Sequence, residues 1–501
     1  MAEAQPTGAA NLMSLPTEVL DQIARRLSRP ELYALALTCR KTKKSAIDVL
    51  YKAYQNREPP AKAPFYLFLR TICERPTLAV KVKRVDIRGW RSEYEFAAGK
   101  PWRGLMEKRG VEEVERNGPV YTNTEKVVRS STAEMAKHFV NAATAGGLIA
   151  KPATLSVSAL KSSMVWYTSL KEDNDFLRLL VRGAEDAQVV LMLALLPSLK
   201  VLYIDGMSPY PLLDWYTFLS RSKTALRALS TLCIVGSVLG QNEPVVKNTL
   251  QFMDVMPNLQ QLGLFNVAAG GHDFAMNMTL PSRKLDCIIL ETCSIDARLL
   301  RKIVDGQELS RFAYEAGFVQ IEAVSGELLA VMDIITLLAS SKNCLEKLAV
   351  FPAVITDEPS SLMMFKKLEE LEILQPGILN IPLDELDPEA IASHLCEQIP
   401  HTLSQLHLRY LKFDQQTKVV LQLVAQLKRQ GILPALSIVH LNFINFQPSV
   451  YVVGPIGGFA SNAQTGFVAL PRVEAPVREE LGKLYGDAGI ELVVEQTDGI
   501  C

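Results

Sequence analysis

The side chains suited to acid–base, nucleophilic or metal chemistry are few in this chain, and they are scattered. Six histidines and eight cysteines occur among 501 residues. His394, Cys396, His401 and His407 gather in one stretch, but their spacing fits no zinc pattern. Cys396 falls on the apolar side of an expected helix. His407 alternates with Leu406 and Leu408 in an expected strand. Both read as core or sheet-face residues. Cys233 and Cys287 lie inside expected strands and read as small buried hydrophobes. No Gly-x4-Gly-Lys-Ser/Thr loop, Gly-x-Ser-x-Gly elbow or His-Glu-x-x-His helix is present. The glycine-rich run GPIGGFASNAQTG, residues 454–466, lacks dinucleotide-loop spacing and reads as a turn or loop. The expectation is no catalytic residue, no metal and no cofactor.

The chemistry that the spacing does favour is non-covalent docking. In LPTEVLDQIARRLSRPELYALALTCRKTKKSAIDVLYKAY, Val19, Leu20, Ile23 and Leu27 recur at helical spacing after Leu15-Pro16. Pro16 suits a first helical turn, and Glu18 complements the positive end of the helix dipole. Ser28-x-x-Glu31 reads as a capping box, with Pro30 in the first turn of a second helix. Leu32, Leu35, Ala36 and Cys39 form that helix's apolar face. A third helix is expected from about Lys43, with Ile47, Leu50 and Tyr54 on one side. Some 40 residues make a marginal core, so apolar surface is left for a partner.

This segment resembles an F-box, on Leu15-Pro16, Glu18, Val19-Leu20, Ile23, Leu27, Leu32, Leu35 and Cys39-Arg40. It departs from the family at Thr42, where an aromatic residue is common. The resemblance implies binding to a Skp1-type adaptor and, through it, to a cullin–RING ubiquitin ligase. Carried over by position, Leu15, Pro16, Val19, Leu20, Ile23, Leu32 and Leu35 would hold the adaptor. Helix-in-groove recognition works this way, through apolar anchors at i, i+3 and i+4. The same stretch is locally basic, and its RKTKK run, residues 40–44, reads as a solvated face, a complement to an acidic adaptor or a nucleic-acid contact.

The rest of the chain repeats a template, L-x-x-L-x-L, in which any large apolar residue serves. It begins at Val82-Val85-Ile87 and recurs at Leu199-Leu202-Ile204, Leu229-Leu232-Ile234, Leu259-Leu262-Leu264 and Leu285-Ile288-Leu290. Further copies are Leu309-Phe312-Tyr314, Leu345-Leu348-Val350, Leu368-Leu371-Ile373, Leu403-Leu406-Leu408 and Leu436-Val439-Leu441. From Leu202 onward the central positions step by 23 to 36 residues, with stretches of helical periodicity between many of them. A short strand and then a helix, repeated, is the plan of a leucine-rich repeat, in which neighbours complete each other's core. The asparagine or cysteine usual after the template occurs once, at Cys293, so the array is irregular.

The expected architecture is α/β: a three-helix F-box, then an irregular leucine-rich-repeat solenoid of short parallel strands alternating with helices. Its parts are a disordered 1–13, an F-box over 14–55, a linker helix and first strand over 56–89, an irregular insertion over 90–165, and an array with a C-terminal cap over 166–501. The stretches FYLFLRTICERPTLAVKVKRVDIRG and LALLPSLKVLYI are similar to parts of fungal F-box/leucine-rich proteins. A protein substrate would meet strand residues between the template leucines, with Tyr203, Gln261, Glu370, Glu372, His407 and Arg409 as candidates.

Composition agrees with such a chain. Hydrophobic residues make up 48% and charged residues 21%, enough for a large core. A net charge of −1 argues against a nucleic-acid coat. No apolar run approaches the ~20 residues of a membrane helix. The start lacks the basic and apolar regions of a secretory leader. Cytoplasmic or nuclear residence in a reducing compartment is the expectation. The function expected is substrate recognition within a Skp1–cullin–F-box ubiquitin ligase, without catalysis. The alternatives are a binding scaffold that uses the adaptor without a cullin, and an α/β enzyme.

Overall fold

The computed structural model describes residues 12–55, 65–87, 133–150, 172–182, 185–205, 213–236, 252–269, 284–317, 329, 331–351, 361–374, 395–409, 415–444 and 475–497. Residues 1–11, most of the 90–165 segment, the stretch 245–250 and the glycine-rich 454–466 lie outside them. The chain divides into two compact units, one of residues 1–235 and 248–259, the other of 236–247 and 260–501.

The first unit opens with three helices: α1 (Thr17–Arg26), α2 (Arg29–Thr38) and α3 (Arg40–Leu50). Ser28 caps α2, and the Glu31 carboxylate accepts from both its backbone N–H, at 2.7 Å, and its hydroxyl, at 2.6 Å. Those hydrogen bonds hold the Glu31 carboxyl below its ordinary range. Cys39 caps α3, its sulfur accepting from the Thr42 N–H at 3.4 Å. The departure at Thr42 has a structural account. Thr42 is fully buried, and its hydroxyl donates to the Leu35 carbonyl at 3.0 Å, tying α2 to α3.

Beyond α3 the expectation of a helix reaching Tyr54 is corrected. The helix stops at Leu50, and Tyr54 lies in a strand, β1 (Ala53–Gln55). Tertiary pairing outweighs local helical spacing here. Tyr54 is aligned in parallel with Val85 of β2 (Arg84–Ile87), and the Lys52 carbonyl accepts from the N–H groups of Lys83 and Arg84. The buried Tyr54 ring stacks on Phe68 of α4 (Phe65–Glu74) at 4.0 Å. After α4 come a short α5 (Pro76–Ala79) and β2.

The next strand in the sheet, β3 (Val201–Asp205), is far off in sequence yet pairs directly with β2. Between them lie α6 (Ala133–Ala145), α7 (Asp173–Arg182) and α8 (Glu185–Leu195). α9 (Trp215–Arg221), β4 (Thr231–Val235) and a 3-10 turn, Phe252–Val255, complete this unit.

In the second unit the strands are β5 (Gln261–Phe265), β6 (Ala268–Ala269), β7 (Cys287–Ile295), β8 (Arg311–Ala316), β9 (Lys347–Phe351), β10 (Glu370–Leu374), β11 (Gln405–Arg409), β12 (Ile438–Ile444) and β13 (Glu491–Thr497). Apart from the short β6, which pairs with β7, each pairs in parallel with the next. The helices α10 (Ala297–Val304), α11 (Val331–Leu337), α12 (Gln415–Arg429) and α13 (Ala475–Asp487) connect them. The array is therefore α/β with a parallel sheet, consistent with a solenoid-like repeat array.

The register explains the template. Val85, Leu202 and Leu232 align across the first unit's strands. In the second unit one row runs Leu262, Ile288, Phe312, Leu348, Leu371, Leu406, Val439 and Leu492. Every template position from Val82 to Leu441 is buried. Alternation puts these side chains on the core face and their neighbours on the other. Serines entering the strands reinforce the ladder. Ser310, Ser404 and Ser437 hydroxyls each donate to the carbonyl at the foot of the preceding strand, at 3.0–3.3 Å.

Cys293, at the position where the repeat plan favours asparagine or cysteine, donates its thiol to the Leu264 carbonyl at 3.2 Å. Burial pushes that thiol up to about 12. The nucleophile in alkylation is the thiolate, so Cys293 should stay unmodified by iodoacetamide at pH 8 while the chain is folded. Among the described cysteines Cys39 should react first, because Thr42's hydrogen bonds hold its thiol below the ordinary value. Peptide mass spectrometry of partly alkylated protein reads this order, and early labelling of Cys293 would contradict the placement.

Candidate docking surfaces

The three-helix unit packs its own core from Ala24, Leu32 and Ala46, with Leu27, Leu35, Ala36, Val49 and Leu50 against them. The seven positions expected to hold a partner therefore separate. Leu20 and Leu32 are buried, 1% and 3% exposed, and support the fold. Leu15, Ile23 and Leu35 are half-buried, while Pro16 and Val19 are exposed.

Two residues that periodicity did not single out are far more open. Tyr33 is 64% exposed and Leu37 70%. They sit one turn apart on α2, away from Leu32. The signal was present in the sequence. RPELYALALT has almost no polar side, and a helix apolar all round needs cover on both sides. Four of the eight described large hydrophobic residues that remain exposed, Leu12, Val19, Tyr33 and Leu37, fall in this short segment. Exposed Arg25 and Arg26 stand on α1, and exposed Lys43 and Lys44 on α3.

Polar contacts fasten the three helices together and to the chain beyond them. Arg29 donates to the Ala53 carbonyl, Lys81 pairs with Asp48, and Lys41 donates to the Leu15 carbonyl at 2.7 Å. The last of these holds the start of α1 against α3.

The candidate substrate residues divide between the units. Tyr203 belongs to the first, where the Arg84 guanidinium lies 4.7 Å over its ring and burial raises its hydroxyl above the ordinary value. The other five share one face of the second unit's sheet. Gln261 and Glu370 fall in one register row through Cys287, Arg311 and Lys347. Glu372 and His407 fall in the next row.

Glu370, Glu372, His407 and Arg409 are engaged in two groups of contacts. Lys347 pairs with Glu370. Arg409 pairs with Glu372, reaches Glu315 at 3.7 Å and lies 4.8 Å over the Phe351 ring. His407 stacks on His440 at 4.2 Å, with its Nε2 4.0 Å from Glu370. Burial, and then His440, hold His407 below the ordinary histidine value, against the pull of Glu372 and Glu370. His407 is thus kept neutral near pH 7. His401 is engaged elsewhere, its Nδ1 2.8 Å from the Ile432 carbonyl, and His394 lies outside the described residues. Among the described residues no three histidine, cysteine, aspartate or glutamate side chains converge as a metal site. Nor is any helix among them long and apolar enough to cross a membrane.

Residues 12–54 match the F-box-like family. The three helices over 17–50 carry that match, so this segment is an F-box-like domain. It supports adaptor binding of the kind found in Skp1–cullin–F-box ubiquitin ligases, whose F-box subunits are generally non-catalytic. No curated protein matches the chain.

Proposed function

We propose that this protein is the substrate-recognition subunit of a Skp1–cullin–F-box ubiquitin ligase. The observation that carries the reading is that four large apolar side chains stay uncovered within 26 residues of an F-box-like domain that packs a core of its own. Leu12, Pro16, Val19, Tyr33 and Leu37 form the main adaptor surface, with Leu15, Ile23 and Leu35 contributing their open edges. Leu20 and Leu32 act indirectly, by holding α1 and α2 in place. Burying such anchors supplies the affinity, and the surrounding basic residues speed encounter with an acidic partner.

The strand–helix array, read as leucine-rich repeats, would hold a protein substrate on the sheet face that carries Gln261, Glu370, Glu372, His407 and Arg409. Tyr203 would serve on the corresponding face of the first unit. The protein would perform no bond chemistry. It would raise the effective concentration of a substrate near a ubiquitin-charged enzyme. Residence in the cytoplasm or nucleus accords with this role.

Affinity purification of the tagged full chain tests it. Adaptor and cullin should be recovered together from the wild type and lost together from Tyr33→Ala/Leu37→Ala. Adaptor without cullin would favour a scaffold that borrows the adaptor alone.

A further inference from the structure

We infer that the open sheet face of the second unit takes an extended, arginine- or lysine-bearing segment of its protein substrate. The inference rests on that face being the substrate surface, and it names the chemistry of what binds there.

Charge is the first observation. Side chains that share this face between β7 and β13 include the carboxylates of Glu291, Glu315, Glu370, Glu372, Glu491 and Glu495. The cations are Arg311, Lys347 and Arg409. With histidines counted as neutral, six negative charges meet three positive ones among the described residues of this face. The excess is sharpest at the C-terminal ends of the strands. There Arg409 serves both Glu372 and Glu315, and Glu291 stands exposed on β7, one residue past the Leu290–Tyr314 pair. The crowding is felt at Glu315. Burial raises its carboxyl above the ordinary range, Glu291 and Glu372 add to that, and Arg409 opposes it. A second guanidinium or ammonium beside Glu291 and Glu315 would relieve it.

Shape is the second. The middle row across β5, β7, β8 and β9 reads Gly263, Ile289, Ala313, Ala349. These are small side chains with one larger exception, Ile289, which is 38% exposed. Phe265, Glu291, Glu315 and Phe351 rise on one side of the row. A chain laid across the strands there would rest on Ile289 and turn its cations toward Glu291 and Glu315. A phosphorylated or acidic segment would meet the wrong sign. The face differs from the basic F-box helices, so the adaptor and a basic substrate would be steered to separate places.

The probe is a fluorescent 12-residue peptide of alternating arginine and alanine or valine, with a glutamate-for-arginine peptide and a glutamine-for-arginine peptide as controls. Fluorescence anisotropy with the full chain should show binding of the arginine peptide that weakens with added salt. Glu291→Lys/Glu495→Lys should weaken it by about tenfold or more, since both positions are exposed and their reversal adds repulsion to lost attraction. Thermal melting of that variant should match the wild type. Ile289→Asp separates the two readings. If all three peptides bind alike and lose affinity only with Ile289→Asp, the face is a docking surface and its preference for basic segments is overturned. If the arginine peptide binds the wild type and both variants equally, or does not bind, both the preference and the face as substrate surface are overturned.

Discussion

Replacing Tyr33 and Leu37 together by alanine should abolish adaptor capture while leaving the protein folded. Both side chains are more than half exposed in the free chain, so truncating them removes little internal packing. Surface changes of this kind usually shift stability by less than about 0.5 kcal/mol. In a complex, each would gain roughly 1.5–3 kcal/mol from burial. Losing most of that at both positions weakens binding at least ~100-fold, at about 1.4 kcal/mol per tenfold. Leu20→Ala is the instructive contrast. Its side chain is buried, and emptying such a site costs about 2–5 kcal/mol. It should also lose capture, but through melting of the helices. Calorimetric titration with purified adaptor, beside circular dichroism melts, separates the two. Wild-type affinity in the Tyr33/Leu37 variant, with the helices intact, would remove α2 from the docking surface.

Phe312→Ala should be among the most damaging single changes in the second unit. Phe312 is 2% exposed and lies between Ile288 and Leu348 in the central register row. Emptying a buried phenylalanine site costs about 3–5 kcal/mol, a large part of a typical domain's stability of about 5–15 kcal/mol. Its neighbour in sequence, Arg311, points to the other face and is exposed. Arg311→Ala should change stability by less than about 0.5 kcal/mol. Urea unfolding followed by circular dichroism gives both values. A larger loss at 311 than at 312 would mean that the two faces have been assigned the wrong way round.

The repeat was legible because burial on one face of a strand leaves a two-residue alternation. Leu202, Leu232 and Leu406 announce themselves, and their neighbours Tyr203 and His407 are thereby placed on the far side. Helices gave a weaker signal. That Leu32 and Tyr33 are both apolar does not say which one turns inward, and the choice depends on Ala24 and Ala46 packing against α2. Tyr54 was unreadable for another reason. Its strand exists only because Arg84–Asp86 pair with it, and no local window contains both segments. The sharing of Arg409 between Glu372 and Glu315 is likewise a product of the fold. Sequence alone placed Glu372 and Arg409 on their strands. It did not reveal that one cation bridges carboxylates from two of them.

Strand β1 has a consequence for how the protein can be divided. Its backbone covers the outer side of β2, so the F-box-like domain also closes an edge of the first unit's sheet. A chain begun at residue 56 would leave the side of β2 that faces β1, along Arg84–Asp86, without its partner strand, and a bare edge recruits strands from other molecules. Aggregation of such a fragment would reflect the missing cover rather than an unstable array. The natural seam between the two roles therefore lies on the surface of α2, where side chains can be exchanged without unstitching the sheet.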